Sequence, residues 1–405
     1  MKLKDIVTFV SKSVVPQNGT TYNLYSLPSF DENKSAEVLD GAEIQSNKYD
    51  VPNKCILFNK LNVRFKRVWR INNSDSNKIA STEFLPLVVN EDVVDYQYCY
   101  YLLISDEITN YLCGQNSNTS GSHKRIDPQN FLNIDIHLPK MPIQKTIGKT
   151  LSDIDSKIEL NKRINDNLEA MAKQLYDYWF VQFDFPNEEG KPYKSNGGAM
   201  VYNEKLKREI PQGWNISQIK DFMRIFTGKK DVSKAVPGNY KFFSCAPEPI
   251  TSNEYIYDGY AVLVSGNGSY TGRVGFYKGK FDLYQRTYAC VLDKEVRNIS
   301  FFYYTLRYLF QPIYSGGKHG SSIPYIVLGD LADFRFVFNE MVCKKFVDIV
   351  TPMFDEQLLR LQEIEELTKQ RDELLPLLMN GQASVNYHLS ASFLSSLYYI
   401  ETNTN

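Results

Sequence analysis

Cations without neighbouring acids are concentrated in one short stretch near the start of the chain. The seventeen residues KCILFNKLNVRFKRVWR, positions 54–70, hold six lysines and arginines and no acidic residue. Such side chains neutralise phosphates, while arginine and asparagine can also reach the edges of bases. The stretch therefore predicts a DNA-contacting surface formed by Lys60, Asn62, Arg64, Lys66, Arg67 and Arg70.

Three other polar stretches have residue types suited to the same task. QNSNTSGSHKRID, GNGSYTGRV and SGGKHGSSIPY combine glycines, which let a ligand approach the backbone closely, with hydrogen-bond donors. Any one of them could equally be a solvated turn, and the DNA hypothesis depends on the four stretches together. Their predicted DNA-binding residues, with one lysine pair upstream, are Ser122, His123, Lys124, Arg125, Lys229, Lys230, Asn267, Ser269, Tyr270, Arg273, Lys318, His319, Ser321, Ser322 and Tyr325.

The search for catalytic, metal and cofactor motifs gives no candidate. The Gly-Lys-Thr at 148–150 lacks the glycine that a phosphate-binding loop needs five positions earlier, where Ile143 stands. The glycines of GNGSYTG do not have dinucleotide-binding spacing, and the four histidines have no metal-ligand spacing. The six cysteines form no Cys-x-x-Cys pair. We therefore predict no catalytic residue, no metal and no cofactor in this chain.

The composition indicates a folded, multidomain protein. Of 405 residues 43% are hydrophobic, and the net charge is −1, so any nucleic-acid surface must be local. No apolar run approaches the roughly 20 residues of a membrane span, and the N-terminus does not resemble a signal peptide. These features predict a soluble cytoplasmic protein with no membrane partner.

A long amphipathic helix is predicted in the middle of the chain, from Ile143 to Phe180. Its apolar residues recur in steps of three and four, and at 1.5 Å per residue it would be about 55 Å long. A similar pattern follows residue 340, so the two helices are expected to pair as an antiparallel coiled coil. The residues predicted to pack in this pair are Ile147, Leu151, Ile154, Ile158, Ile164, Leu168, Leu175, Phe354, Leu358, Leu361, Ile364 and Leu375.

The chain is predicted to be an internal duplication. An offset of 200 residues aligns the two long helices and the stretches before them, for example Ile126 with Ile326 and Asp155 with Asp355. Nearer the start of each half, KLKDIV parallels QIKDFM, and ILFNKLNVRFKRV parallels VLVSGNGSYTGRV. The repeated order of strand, loop, second loop and long helix favours duplication over two unrelated helices.

Two polar or helix-breaking residues interrupt the predicted helices. Pro352 removes a backbone hydrogen bond, so we expect the second helix either to bend there or to begin late. Asn161 stands where the apolar stripe of the first helix would continue; it could fix the helix register or simply face solvent.

The chain resembles the specificity subunits of type I restriction–modification systems. The segments that carry the resemblance run from LPKMPIQKTIGKTLSDIDSKIELNKRINDNLEAMAKQLYDYWF through GKPYKSNGGAMVYNEKLKREIPQGW to RDELLPLLMNGQ. ILFNKLNVRFKRVW and GSSIPYIVLGDLADFRF are similar to pieces of the recognition domains of that family. The second helix departs from the family at its start, FNEMVCKKFVDIV, and the chain continues past the usual end with a segment that could be a short helix or a frayed tail.

The resemblance implies an α+β fold with two similar mixed α/β target-recognition domains, separated by two long antiparallel coiled-coil helices in a pseudo-twofold repeat. The predicted segments are a first recognition domain at 1–140, a first spacer helix at 141–183, a linker at 184–213, a second recognition domain at 214–339, a second spacer helix at 340–382 and a C-terminal tail at 383–405.

The function implied by the resemblance is non-catalytic reading of a bipartite site in double-stranded DNA. The implied partners are two adenine-methyltransferase subunits, which bring S-adenosylmethionine, and restriction–translocase subunits, which use ATP and magnesium. A rod of about 35–55 Å would separate two half-sites by roughly 10–16 base pairs. The alternatives are a self-contained DNA-modifying or DNA-cleaving enzyme with an unrecognised site, and a structural coiled-coil protein.

Overall fold

The protein is described by a computed structural model covering residues 1–115, 125–292, 298–319, 322–386 and 399–402. The chain divides into two compact units. Unit 1 comprises Met1–Leu160 with Glu363–Asn405, and unit 2 comprises Asn161–Gln362. The helices are α1 Leu27–Glu32, α2 Tyr96–Ile104, α3 Asp106–Gln115, α4 Pro128–Leu132, α5 Met141–Tyr176, α6 Ile299–Thr305, α7 Gln311–Tyr314, α8 Leu328–Ala332 and α9 Glu340–Met379.

Short strands make up the sheets of both halves. Those of the first half are β1 Val7–Phe9, β2 Ser13–Val14, β3 Thr21–Tyr25, β4 Glu37–Asp40, β5 Lys48–Asp50, β6 Lys54–Asn59, β7 Val68–Asn72, β8 Lys78–Ala80 and β9 Phe84–Val89. The later strands are β10 Met200–Asn203, β11 Arg208–Pro211, β12 Asn215–Gln218, β13 Met223–Thr227, β14 Tyr240–Phe243, β15 Ile250–Ser252, β16 Tyr257–Ser265, β17 Val274–Leu283, β18 Thr287–Leu292, β19 Arg335–Phe338, β20 Ala383–Asn386 and β21 Tyr399–Thr402.

Residues 1–115 of unit 1 form two sheets. The first is antiparallel with strand order β1-β9-β6-β7, and the second has the order β2-β5-β8-β3-β4. The aromatic-rich helix α2 packs on the first sheet, since Tyr98, Tyr101 and Leu102 are all buried in the same core as Ile56. The Asp95 side chain begins this helix by accepting a hydrogen bond from the backbone N–H of Tyr98, at 2.9 Å.

Unit 2 repeats the sheet of unit 1 and extends it. Its main sheet has the order β13-β18-β16-β17-β14-β15, and the first four strands correspond in order and direction to β1-β9-β6-β7. The segment between the halves, predicted as a linker, carries the β10–β11 hairpin. An aromatic core containing Phe180, Trp214, Phe301 and Phe346 joins this region to α6 and α9 within the unit.

The duplication is also visible in single hydrogen bonds. The N–H of Leu3 donates to the carbonyl of Ile134 at 3.0 Å, and the N–H of Ile219 donates to the carbonyl of Phe334 at 3.3 Å. The short helices α4 and α8 occupy positions 200 residues apart in the two halves. The predicted repeat is therefore present in sheet order as well as in sequence.

Helices α5 and α9 run antiparallel in each unit. In unit 1, Asp155 of α5 contacts Arg371 of α9 at 3.1 Å, and Lys157 pairs with Glu363. In unit 2, Asn161 accepts a hydrogen bond from Arg360 at 3.2 Å, and the Gln357 amide donates to the backbone carbonyl of Asn165 at 3.2 Å. The antiparallel pairing follows the prediction.

The buried face of this pair differs in part from the predicted one. Ile147, Leu151, Ile154, Ile158 and Phe354 are buried, and Ile164, Leu168, Leu175, Leu358, Ile364 and Leu375 are half-buried. The prediction for Leu361 is wrong, because its side chain is 54% exposed. Asn161 is buried, so the solvent-facing alternative for this residue is wrong, and Ala172 is buried as well. A pattern of large apolar residues does not mark a small position such as Ala172.

The effect of Pro352 is smaller than expected. Helix α9 is continuous from Glu340 to Met379, so the predicted late start is wrong. Pro352 is exposed, and its ring lacks only the N–H that would bond the carbonyl four residues earlier, so the other hydrogen bonds of the helix remain. At the C-terminus, the described residues of the tail form the antiparallel β20–β21 pair, and the rest of it lies outside the described residues.

Candidate nucleic-acid interface

The two loops that the sequence singles out follow equivalent strands. Residues 60–67, here the basic loop, connect β6 to β7, and residues 266–273, here the glycine loop, connect β16 to β17. Each loop is closed at its base by the same hydrogen bond: Asn59 N–H donates to the Arg67 carbonyl at 3.0 Å, and Ser265 N–H to the Arg273 carbonyl at 2.9 Å. The loops are therefore structural equivalents despite their different composition.

The backbones of the two loops also share left-handed positions. In the basic loop these are Asn62 and Lys66, with φ of 53° and 49°; in the glycine loop they are Gly268 and Gly272, with φ of 80° and 81°. A Cβ on Gly272 would lie 2.4 Å from the carbonyl oxygen of Tyr314, so this position requires glycine. Lys66 instead accepts an uncommon backbone conformation for a side-chain-bearing residue.

A second loop contacts the first in each half. The N–H of Ile126 donates to the carbonyl of Lys60 at 3.0 Å, and the N–H of Ile326 donates to the carbonyl of Gly266 at 2.9 Å. Beside these bonds, Leu61 pairs with Arg125 and Asn267 pairs with Tyr325 as isolated β-bridges. The fold thus brings together, twice, two loops that are about 60 residues apart in sequence.

In unit 1 several of the predicted DNA-binding cations already have acidic partners. Arg67 makes two hydrogen bonds to Asp31, at 2.6 and 2.7 Å, and Lys66 contacts Asp106 at 2.6 Å. Arg125 binds Glu83 at 2.7 Å, which raises the pKa of the Arg125 guanidinium. These acids lower the net positive charge of the surface that the sequence alone predicts.

An exposed aromatic ring stands between two arginines at the tip of the basic loop. The guanidinium carbons of Arg64 and Arg67 each lie 4.8 Å from the centre of the Phe65 ring, which is 53% exposed. Arg64 is exposed, Asn62 is half-buried and Lys60 is half-buried at the base of the loop. This arrangement offers both a planar apolar surface and a cation to a nucleic acid.

Arg70 lies apart from this loop tip. It projects from β7 into a cluster where it contacts Asp155 of α5 at 3.4 Å and donates to Gln97 at 2.7 Å. The Tyr100 ring lies 4.3 Å from its guanidinium carbon, and Tyr101 donates to the same Asp155 carboxylate at 2.5 Å. Arg70 therefore helps to attach α5 to the sheet.

In unit 2 the predicted residues gather around the glycine loop. Ser269 and Tyr270 are exposed at its tip, and the Arg273 guanidinium carbon lies 5.5 Å from the centre of the Tyr270 ring. From the second loop, the His319 ring stacks on Tyr325 at 5.2 Å and contacts Asp330 at 3.1 Å. Lys318 lies 4.2 Å from the Tyr314 ring centre, and Ser322 is exposed.

The lysine pair at 229–230 behaves in two ways. Lys229 is exposed, whereas Lys230 contacts Glu254 at 2.7 Å and the buried Asp282 at 3.2 Å. The hydrogen bond to Glu254 raises the pKa of Lys230, with Asp282 adding to the effect. Ser122, His123, Lys124 and Ser321 lie outside the described residues.

Sequence reasoning missed residues that modify these loops. Asp31, Glu83 and Asp106 neutralise predicted cations, and no local pattern marks them because they are 36 to 42 residues away in sequence from their partners. Arg286 is exposed beside the glycine loop, and its carbonyl accepts the Gly266 N–H at 2.9 Å. The sequence signal that could have identified Arg286 is its position in the turn between β17 and β18.

Within the described ranges, no group of three or more His, Cys, Asp or Glu side chains is arranged to hold a metal ion. No helix among the described residues has both the length and the apolar character that a membrane crossing requires.

Comparison with known proteins places this arrangement in context. Residues 1–170 and 211–367 match the family described as the type I restriction modification DNA specificity domain. The chain is 25% identical to the type I restriction enzyme MjaIX specificity subunit of Methanocaldococcus jannaschii over 339 residues, which cover 76% of this chain and 74% of that protein. It is 32% identical over 180 residues to the EcoDI specificity subunit of Escherichia coli, covering 43% of this chain but only 39% of that relative.

A solved structure shares the fold. The type I restriction–modification S subunit from M. genitalium superposes with a TM-score of 0.60 at 14% identity, covering 93% of this chain and 95% of that one. Members of the family are specificity subunits, which are non-catalytic components of restriction–modification complexes. Because the two matched regions span most of the sequence, this chain belongs to the type I restriction–modification DNA specificity family.

Proposed function

We propose that this chain acts in the cytoplasm as a non-catalytic subunit that reads a bipartite site in double-stranded DNA, one half-site with each globular part. The observation that carries the proposal is the pair of equivalent loop arrangements, each built from a β-hairpin loop and a second loop bonded to its base. Exposed side chains at the two tips, among them Arg64, Phe65, Ser269 and Tyr270, could contact phosphates and base edges.

The partners we propose are two adenine-methyltransferase subunits and restriction–translocase subunits. S-adenosylmethionine, ATP and magnesium would bind to those partners. Support for a docked partner comes from a groove of about 770 Å³ on the helices of unit 2, lined mainly by apolar atoms. Met171 and Ile349 line it and are 54% and 44% exposed, which is typical of a protein-binding surface.

The function is tested by mapping methylated adenines in DNA from cells that contain the methyltransferase subunit, with and without this chain. We expect methylation at one split sequence that disappears when the chain is absent. A variant of the chain in which residues 266–273 are replaced is compared with the wild type. This variant is expected to change one half-site only. Methylation that does not depend on the chain would overturn the proposal.

The enzyme alternative predicts a different result. The purified chain, incubated alone with duplex DNA and either S-adenosylmethionine or magnesium, would modify or cut the DNA if it carried its own active site. We expect neither product, and we expect salt-dependent duplex binding, which a purely structural coiled-coil protein would lack.

Docking of the methyltransferase can be tested on the groove. Met171→Asp and Ile349→Asp are expected to abolish copurification of the methyltransferase subunit, because each places a charge on an apolar contact surface. Lys162→Asp is the control, since Lys162 is exposed on α5 and nine residues from Met171, on the opposite side of the helix. Equal losses in all three variants would argue against this groove.

A further inference from the structure

A cavity in unit 2 is lined by two arginines, one of which lies at the base of the glycine loop. It has a volume of about 330 Å³, and both Arg273 and Arg307 line it. Four hydroxyl-bearing side chains, Ser244, Ser265, Thr287 and Tyr303, line it as well. Its remaining walls are largely aromatic and aliphatic, with Phe276 among them. Cations and hydroxyl donors that share one semi-enclosed space are the chemistry of an anion site.

Arg273 lines this cavity, and its side-chain hydrogen-bond partner among the described residues is a backbone carbonyl. One terminal nitrogen donates to the Ala246 carbonyl at 2.6 Å, and a guanidinium has five N–H donors in all. Its partial burial lowers the pKa of the guanidinium, and the negative charge of Glu248 opposes that effect. Among the described residues, no carboxylate forms an ion pair with Arg273.

Arg307 is positioned from the helical side of the cavity. Its Nη1 donates to the Val274 carbonyl at 3.1 Å and to the Gln311 side-chain oxygen at 2.8 Å. Both bonds use the same nitrogen, and they fix the direction of the guanidinium. Within the described parts of the chain, its hydrogen-bond partners are neutral oxygens, so its charge faces the cavity without a carboxylate.

The equivalent position in the first half has been neutralised. Arg67 corresponds to Arg273, and Asp31 binds it through two hydrogen bonds. A carboxylate and a phosphate both accept such a two-point hydrogen bond from arginine. Asp31 therefore takes, in unit 1, a bonding position beside Arg67 that no carboxylate of the described residues takes beside Arg273 in unit 2.

We propose that the cavity lined by Arg273 and Arg307 binds a phosphate group. Two guanidinium groups supply charge and directed N–H donors, and the hydroxyls of Ser244 and Thr287 can supply further hydrogen bonds. The phosphate could belong to the DNA backbone next to the second half-site or to a free mononucleotide. The first source rests on the proposed function, whereas the second does not.

The phosphate site is tested with the full-length chain and inorganic phosphate. Calorimetric titration at constant ionic strength is expected to show saturable binding, weakened by about tenfold or more in Arg273→Gln and in Arg307→Gln. Arg273→Lys keeps the charge and is expected to retain most of the binding, and the urea midpoint of each variant reports its folding. Arg335→Gln removes an exposed arginine of β19 in the same unit and is the control.

Duplex binding then separates the two sources of phosphate. If the DNA backbone enters the cavity, the two glutamine variants lower duplex affinity, reduce the salt slope by about one and affect only the second half-site. If a free nucleotide is the ligand, adenosine monophosphate binds and duplex affinity stays unchanged in both variants. No phosphate binding by the wild type up to about 20 mM, or equal loss in Arg335→Gln, would overturn the phosphate site. Phosphate binding without any duplex binding would instead overturn the proposed function.

Discussion

Arg67 of the basic loop and Asp31 of α1 form a two-point ion pair, with Nε–Oδ1 at 2.6 Å and Nη2–Oδ2 at 2.7 Å. The Arg67 side chain is 18% exposed and that of Asp31 is 50% exposed. The cation that the sequence presents as a DNA contact is thus compensated by an acid from a distant part of the chain. Its availability to DNA depends on that acid.

Asp31→Asn is expected to strengthen duplex binding. The substitution keeps the side-chain shape but removes the charge that compensates Arg67, so the salt slope of duplex binding should steepen by about one. Fluorescence anisotropy at several salt concentrations measures this. Arg67→Ala and Lys66→Ala should instead weaken binding and flatten the slope. If Asp31→Asn leaves the slope unchanged, Arg67 does not contact phosphate.

Ile158→Asp is expected to destabilise the protein by about 3 kcal/mol or more, because it places a charge in the packed face of α5 without a partner. Ile158 is 5% exposed. The same is expected for Ile154→Asp. Leu160→Asp is the matched control, since Leu160 is two residues away and 46% exposed, and its effect should stay within about 0.5 kcal/mol. Urea unfolding gives both values, and similar losses at 158 and 160 would contradict the packing described.

Asn161→Leu tests the polar contact inside the helix pair. Asn161 is 1% exposed, and its side-chain oxygen accepts a hydrogen bond from Arg360, so the substitution should cost about 1–3 kcal/mol. Asn161→Leu combined with Arg360→Met replaces both partners with apolar side chains and should recover stability to within about 1 kcal/mol of the wild type. A double variant as unstable as the sum of the single variants would show that the two residues are not coupled.

Removing one heptad from both helices tests whether they set the spacing of the two half-sites. Deleting residues 158–164 together with 359–365 shortens each helix by about 10 Å, which equals about 3 base pairs of duplex. We expect methylation at the same half-sites with a correspondingly shorter spacer. A deletion in α5 alone should abolish methylation of the site, because the antiparallel register of the two helices is lost. Unchanged spacing in the double deletion, or altered half-sites, would contradict the ruler hypothesis.

Much of the fold could be predicted from local pattern. The stretches KCILF, YAVLVSG and TYACVLD overlap β6, β16 and β18, and the stretch starting at Tyr96 is a helix that packs on the sheet. The positions of the basic loop and the glycine loop can be predicted, because charged residues and glycines are concentrated there in the sequence. The exact seam of the helix pair could not be predicted. The burial of the polar Asn161 and the small Ala172 depends on tertiary packing, which their residue types do not report.

The duplication, the long helices and the positions of the loops can be read from the sequence, because periodicity and composition are properties of neighbouring residues. Which cations stay available depends on the tertiary structure. Asp31 reaches Arg67 and Asp155 reaches Arg70 through long-range packing, while Arg273 and Arg307 meet at one cavity with no acid bound to either among the described residues. Charge compensation acts across a few ångströms of space, and distances along the chain do not report it.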